Sequence, residues 1–141
     1  MIYLDTSALI KRYITETGSD KIRSLFTSQD HLATSKVAYV EVYAAFTRRK
    51  REGDLPSMRY QQVCRLFERE WPAYLVIELH DDILRLSRDL IKKHPLRGLD
   101  AIHLASAKLI KQKISKETIF GCADNRLLNS AKSEGFKLLS V

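Results

Sequence analysis

Ile2-Tyr3-Leu4-Asp5-Thr6-Ser7-Ala8-Leu9 opens the chain with three apolar residues, then a carboxylate, then residues spaced for a helix. The same grammar returns late in the sequence, where Ile119-Phe120-Gly121-Cys122-Ala123-Asp124 leads into Asn125-Arg126-Leu127-Leu128. Short runs of unbroken hydrophobicity suit strands covered on both faces, the habit of parallel sheets. Working outward, Ile2–Leu4, Leu32–Thr34, Leu75–Leu79, Thr118–Ala123 and Phe136–Val141 read as strands. Amphipathic stretches between them predict helices over Ser7–Tyr13, Thr17–Ser28, Lys36–Glu52, Ser57–Trp71, Asp82–Lys93, Leu99–Lys113 and Asn125–Glu134. Gly53, Pro72, Pro95 and Gly135 stand just past helical patterns and would stop them. Strands alternating with crossover helices imply an α/β domain with a mostly parallel sheet, flanked by helices on both faces. Sites in such sheets lie beyond the carboxyl ends of the strands, where Asp5 and Asp124 stand.

The 141 residues suit one domain spanning 1–141, with no repeat, linker or composition shift to mark a second. No apolar run approaches the roughly 18 residues that suggest a membrane span. A candidate functional residue at position 5 leaves nothing upstream to act as a removable signal, so the expected place is the cytoplasm. Cys64 and Cys122 fit no zinc spacing or disulfide framework and read as buried small hydrophobes. The net charge of +7 points to a polyanionic partner, with nucleic acid ahead of an acidic protein.

Four acids depart from ordinary surface charge: Asp5, Glu41, Asp100 and Asp124. Each Asp has a simpler use, because Asp5 and Asp124 can cap the helices that follow and Asp100 can meet a helix dipole in a first turn. Glu41 is harder to explain. Its helical neighbours are Val37, Ala38, Ala44 and Ala45, an apolar face expected to pack inward, and a Glu there needs an ion pair or a metal. One hard, oxygen-seeking divalent cation would account for all four carboxylates at once. Thr6 and Ser7 suit either a helix cap or a hydrogen bond to a carboxylate. His103 shares a helix face with Asp100, as a hydrogen-bonded histidine or as a ligand or base. Arg48-Arg49-Lys50-Arg51 ends the Glu41 helix, either complementing its dipole or gripping phosphates.

Tyr3-Leu4-Asp5-Thr6-Ser7-Ala8-Leu9, Glu41, Leu99-Asp100-Ala101-Ile102-His103-Leu104-Ala105 and Ala123-Asp124-Asn125-Arg126-Leu127, in that order, resemble the PIN-domain ribonucleases, especially the VapC-like toxins of toxin–antitoxin pairs. The resemblance covers essentially the whole chain. It implies a five-stranded parallel sheet of order 3-2-1-4-5, Mg²⁺ or Mn²⁺ at the acidic cluster, endonucleolytic cleavage of RNA, a cognate antitoxin protein and a homodimer. By carry-over, Asp5 and Asp100 would be the principal metal ligands, with Glu41 and Asp124 completing the site directly or through water. Cys122-Ala123-Asp124-Asn125 departs from the Thr-rich form of the fourth motif.

Two other readings compete. An aspartyl-phosphate phosphotransferase would use Asp5 as nucleophile, yet Ser7 stands where its usual second Asp would be. A catalytically inactive RNA-binding or interaction domain would have little reason to keep the four acids. No Ser-His or Cys-His pairing is apparent, which leaves metal-assisted hydrolysis by water as the expected chemistry.

Overall fold

Alternation along β1 (Ile2–Leu4) decides what packs where. Successive strand side chains point to opposite faces, so Ile2 and Leu4 join one apolar layer while Tyr3 joins the other. The computed structural model describes residues 1–28, 31–114 and 117–141. Its other strands are β2 (Leu32–Ser35), β3 (Leu75–Ile77), β4 (Ile119–Cys122) and β5 (Lys137–Ser140). All pairings are parallel and the order is β3-β2-β1-β4-β5, as the resemblance implied.

On the Leu4 side lie α1 (Thr6–Leu9), α2 (Ser19–Leu25), α3 (Ala38–Arg51) and α4 (Ser57–Glu70), meeting through Leu9, Ile22, Val42, Phe46 and Phe67. Tyr13 and Phe46 meet Phe67 edge-on in this layer, an arrangement worth about 0.5–1.5 kcal/mol per pair beyond burial. On the Tyr3 side lie α5 (Asp81–Lys93), α6 (Gly98–Ile114) and α7 (Asn125–Ser133), packed through Ile83, Leu104, Phe120 and Leu127. Among the described residues, no helix is long and apolar enough to cross a membrane.

Departures from the expected boundaries have local causes. The helix expected over Ser7–Tyr13 is one short α-turn followed by a 3₁₀ turn, Ile10–Arg12. The one expected over Thr17–Ser28 begins only at Ser19, because Gly18 sits at φ 88°, outside the helical region. Pro72 converts the end of the fourth helix into a 3₁₀ turn, Trp71–Ala73. Strand β4 approaches β1 closely at Gly121, where an added Cβ would lie 2.7 Å from Leu4 Cδ2. The parallel register, with Leu4 opposite Gly121, sets Cys122 beside Asp5.

Candidate active site

Asp5 leaves the end of β1 and caps α1, its Oδ1 accepting the Ala8 N–H at 2.9 Å. Capping and site placement are thus the same geometry. The Ser7 hydroxyl donates to the carboxylate at 2.8 Å, and the Cys122 thiol donates to Oδ2 at 3.3 Å. Thr6 and Ser7 are therefore not caps, since their hydroxyls go to carboxylates. Asp5 is 5% exposed, and burial pushes its carboxyl above the usual range against the opposing influence of His103, the Ala8 N–H, Ser7 and Cys122. Among the described residues no Lys, Arg or His forms an ion pair with it.

Glu41 lies in the first turn of α3, but it is not on the face that packs inward. Ala38, Val42 and Phe46, at i, i+4 and i+8, form that face, whereas Ala44 is exposed and Glu41 sits at the rim with its side chain 22% exposed. Its Oε1 accepts from Thr6 Oγ1 at 2.8 Å and from His103 Nε2 at 2.7 Å. Burial opposes its charge, yet the His103 hydrogen bond and attraction together with Thr6 hold the carboxyl below its ordinary value. The partner is a histidine 62 residues away in sequence.

His103, on α6 and only 2% exposed, uses both ring nitrogens. Its Nδ1 lies 2.9 Å from the Tyr3 hydroxyl. Burial raises the Tyr3 phenol well above its ordinary value, so it keeps its proton. All groups are satisfied when Tyr3 donates to Nδ1, Nε2–H donates to Glu41, and Thr6 spends its proton on Glu41.

Asp100, in the first turn of α6, accepts the Arg97 backbone N–H at 3.3 Å. Asp124 caps α7 through Oδ1, which accepts from Arg126 N at 2.8 Å and Leu127 N at 3.0 Å. One open cleft of about 580 Å³ is lined by all four acids, together with Thr6, Ser7 and His103. As they stand, no three Asp, Glu, His or Cys groups among the described residues converge tightly enough to enclose an ion. The donor set nevertheless fits a hard cation, being carboxylates and hydroxyls around a buried Asp5 that lacks a countercharge.

The basic run does not act as one surface. Arg48 lines the cleft, Arg49 pairs with Glu16, Lys50 lies over the Tyr60 ring at 4.7 Å, and Arg51 is exposed at the helix end. Sequence reading missed three contributors: Tyr3, Cys122 and Arg97, the last of which lines the cleft opposite α3. Cys122 also accepts the Asp124 N–H at 3.1 Å, so its sulfur ties the two strand-end acids together; Cys64, by contrast, is only partly buried.

The PIN domain profile matches residues 2–132. The chain belongs to the PIN-domain family. Ribonuclease VapC45 of Mycobacterium tuberculosis (strain CDC 1551 / Oshkosh) is 37% identical over 107 residues, covering 76% of this chain and 74% of the relative. Ribonuclease VapC47 of the same strain is 34% identical over 140 residues, covering 96% and 93%. Among solved structures, FitAcB from Neisseria gonorrhoeae superimposes with a TM-score of 0.70 at 11% identity over 99% of this chain and 97% of its own. VapBC2 from Rickettsia felis, bound to a DNA fragment from its promoter, gives 0.68 at 11% identity over 100% and 99%. At such identities the structural likeness speaks for the PIN fold alone, while the relatives place the chain beside the VapC ribonucleases.

Proposed function

We propose that this PIN-domain chain, as a single domain over 1–141, is an endoribonuclease and the toxin of a toxin–antitoxin pair. It acts on RNA in the cytoplasm, assembles as a homodimer, and is held in check by a cognate antitoxin protein. The observation that carries the catalytic reading is the meeting of Asp5, Glu41, Asp100 and Asp124, from four separate elements, on one open cleft. Kinship with two VapC ribonucleases supports the substrate class.

Asp5 and Asp100 would hold Mg²⁺ or Mn²⁺, with Glu41 and Asp124 completing the set. When bound, such a cation acidifies water and neutralises charge developing at a phosphate. The protein's part is orientation. Ser7 and Cys122 fix the Asp5 carboxylate from two sides. Thr6 and His103 both bond Glu41 Oε1, which leaves Oε2 of this cleft-lining residue without a protein partner among the described residues and able to accept a proton from an attacking water. Tyr3 locks the His103 tautomer that makes this possible. The phosphotransferase reading fares worse, since both Asp5 oxygens are already engaged and the residue is buried.

Cleavage of total RNA in Mn²⁺ by Asp5→Asn and Asp100→Asn tests the assignment. Each should fall by at least about 10²-fold, the loss expected from several kcal/mol of charge stabilisation. Wild-type rates in either variant would remove that residue from the site.

A further inference from the structure

Two cations line the acidic cleft, Arg48 from α3 and Arg97 from the segment just before α6. Among the described residues, neither side chain makes an ion pair or a hydrogen bond, although four carboxylates line the same cleft. Asp100 accepts the backbone N–H of Arg97 and leaves its guanidinium unengaged. Both side chains are exposed at the rim of the cleft, whereas the more deeply set Arg49, Arg12 and Lys11 are taken up by Glu16 and Glu70. Two unneutralised guanidinium groups beside an acidic floor are poised for an anion from outside, and their planar fork suits phosphate oxygens.

Their placement is as informative as their freedom. Helix α3 packs on the Leu4 side of the sheet and α6 on the Tyr3 side, with the strand ends bearing Asp5 and Asp124 between them. Arg48 follows Glu41 by seven residues, which is the same helix face about 10 Å further along the axis at about 1.5 Å per residue. Arg97 precedes Asp100 by three residues on the opposite wall. A single nucleic-acid strand laid over the acids would therefore meet one arginine on each side.

We propose that Arg48 and Arg97 form a two-walled phosphate grip that holds the RNA backbone on both sides of the bond to be cut. The inference rests on the ribonuclease reading and adds to it the residues that bind substrate. Because both groups would contact phosphates and not base edges, the grip is indifferent to sequence.

The test uses the purified full chain with a labelled single-stranded RNA in Mn²⁺, comparing wild type with Arg48→Gln, Arg97→Gln, Arg97→Lys and Arg65→Gln. Arg65 is an exposed arginine on α4, away from the cleft, and reports general electrostatics. Arg48→Gln and Arg97→Gln should each raise KM with kcat little changed, and each should lower the log–log salt slope of kcat/KM by about 0.7. Arg97→Lys should keep most of the slope while losing part of the affinity, since a point charge replaces a fork. Arg65→Gln should match wild type. Melting temperatures should be unchanged throughout, because no folded-state partner is lost. Unaltered KM and slope in Arg97→Gln, with wild type active, would overturn the grip alone. A wild-type protein that leaves RNA uncut would overturn the ribonuclease reading and the grip with it.

Discussion

Replacing His103 by Ala gives the clearest test of how the cleft is held. The ring is 2% exposed and satisfies Tyr3 on one side and Glu41 on the other. Its removal leaves the fully buried Tyr3 hydroxyl without that partner, a loss of about 1–3 kcal/mol. Glu41 keeps Thr6 and can reach water, so its share is nearer 1 kcal/mol, and the vacated ring volume adds about another 1 kcal/mol. The sum is about 3–5 kcal/mol, or a fall in melting temperature on the order of 10–17 °C for a domain of this size. Tyr3→Phe should cost about 1–2 kcal/mol, and the double variant should be less destabilised than the sum by about 1 kcal/mol or more, because both remove one network. Urea denaturation in metal-free buffer measures all three. A His103→Ala loss below about 1 kcal/mol, or strict additivity with Tyr3→Phe, would refute the relay from Tyr3 to Glu41.

Asp5 has a raised carboxyl, so the folded state binds its proton more tightly than the unfolded chain does and gains relative stability as pH falls. Asp5→Asn should accordingly melt above wild type at neutral pH without metal, yet lose the rise that Mn²⁺ gives wild type by linkage, as followed by differential scanning fluorimetry; a lower metal-free melting point would contradict the desolvation account. Glu134 behaves oppositely. Burial disfavours its charge, but hydrogen bonds from His94, Lys108 and Lys93 win and hold it at about 2, against an ordinary 4.5. Its contribution is present above about pH 4.5 and lost as pH falls towards 2, so the stabilities of wild type and Glu134→Gln should converge over that window in acid titrations of the urea midpoint.

Much of this architecture is legible in the sequence because parallel strands buried on both faces need unbroken apolar runs, as in Ile2–Leu4 and Ile119–Cys122. The acids stand out because strand ends and helix starts can be located from those runs. Glu41 turns out of the core for a physical reason: small alanines flank it at helical spacing, but larger Val42 and Phe46 decide which side is buried. Four consecutive cations fan around a helix at about 100° each, so only Arg48, seven residues from Glu41, shares its cleft. The pairing of Tyr3 with His103, 100 residues apart, and the seating of Cys122 against Asp5 depend on strand register and have no local signal. Arg97 carries no local signal, because its meaning lies in what it fails to bond.

The most direct test of the central claim, that water is the nucleophile in this acidic cleft, is the chemistry of the cut ends. Purified protein should cleave a labelled RNA in Mg²⁺ or Mn²⁺, stop in EDTA, and leave 5′-phosphate and 3′-hydroxyl termini, since attack by water expels the 3′ oxygen without using the ribose 2′-hydroxyl. Asp5→Asn should abolish those ends. Cyclic phosphate termini, or full activity in EDTA, would contradict the account even with the fold intact.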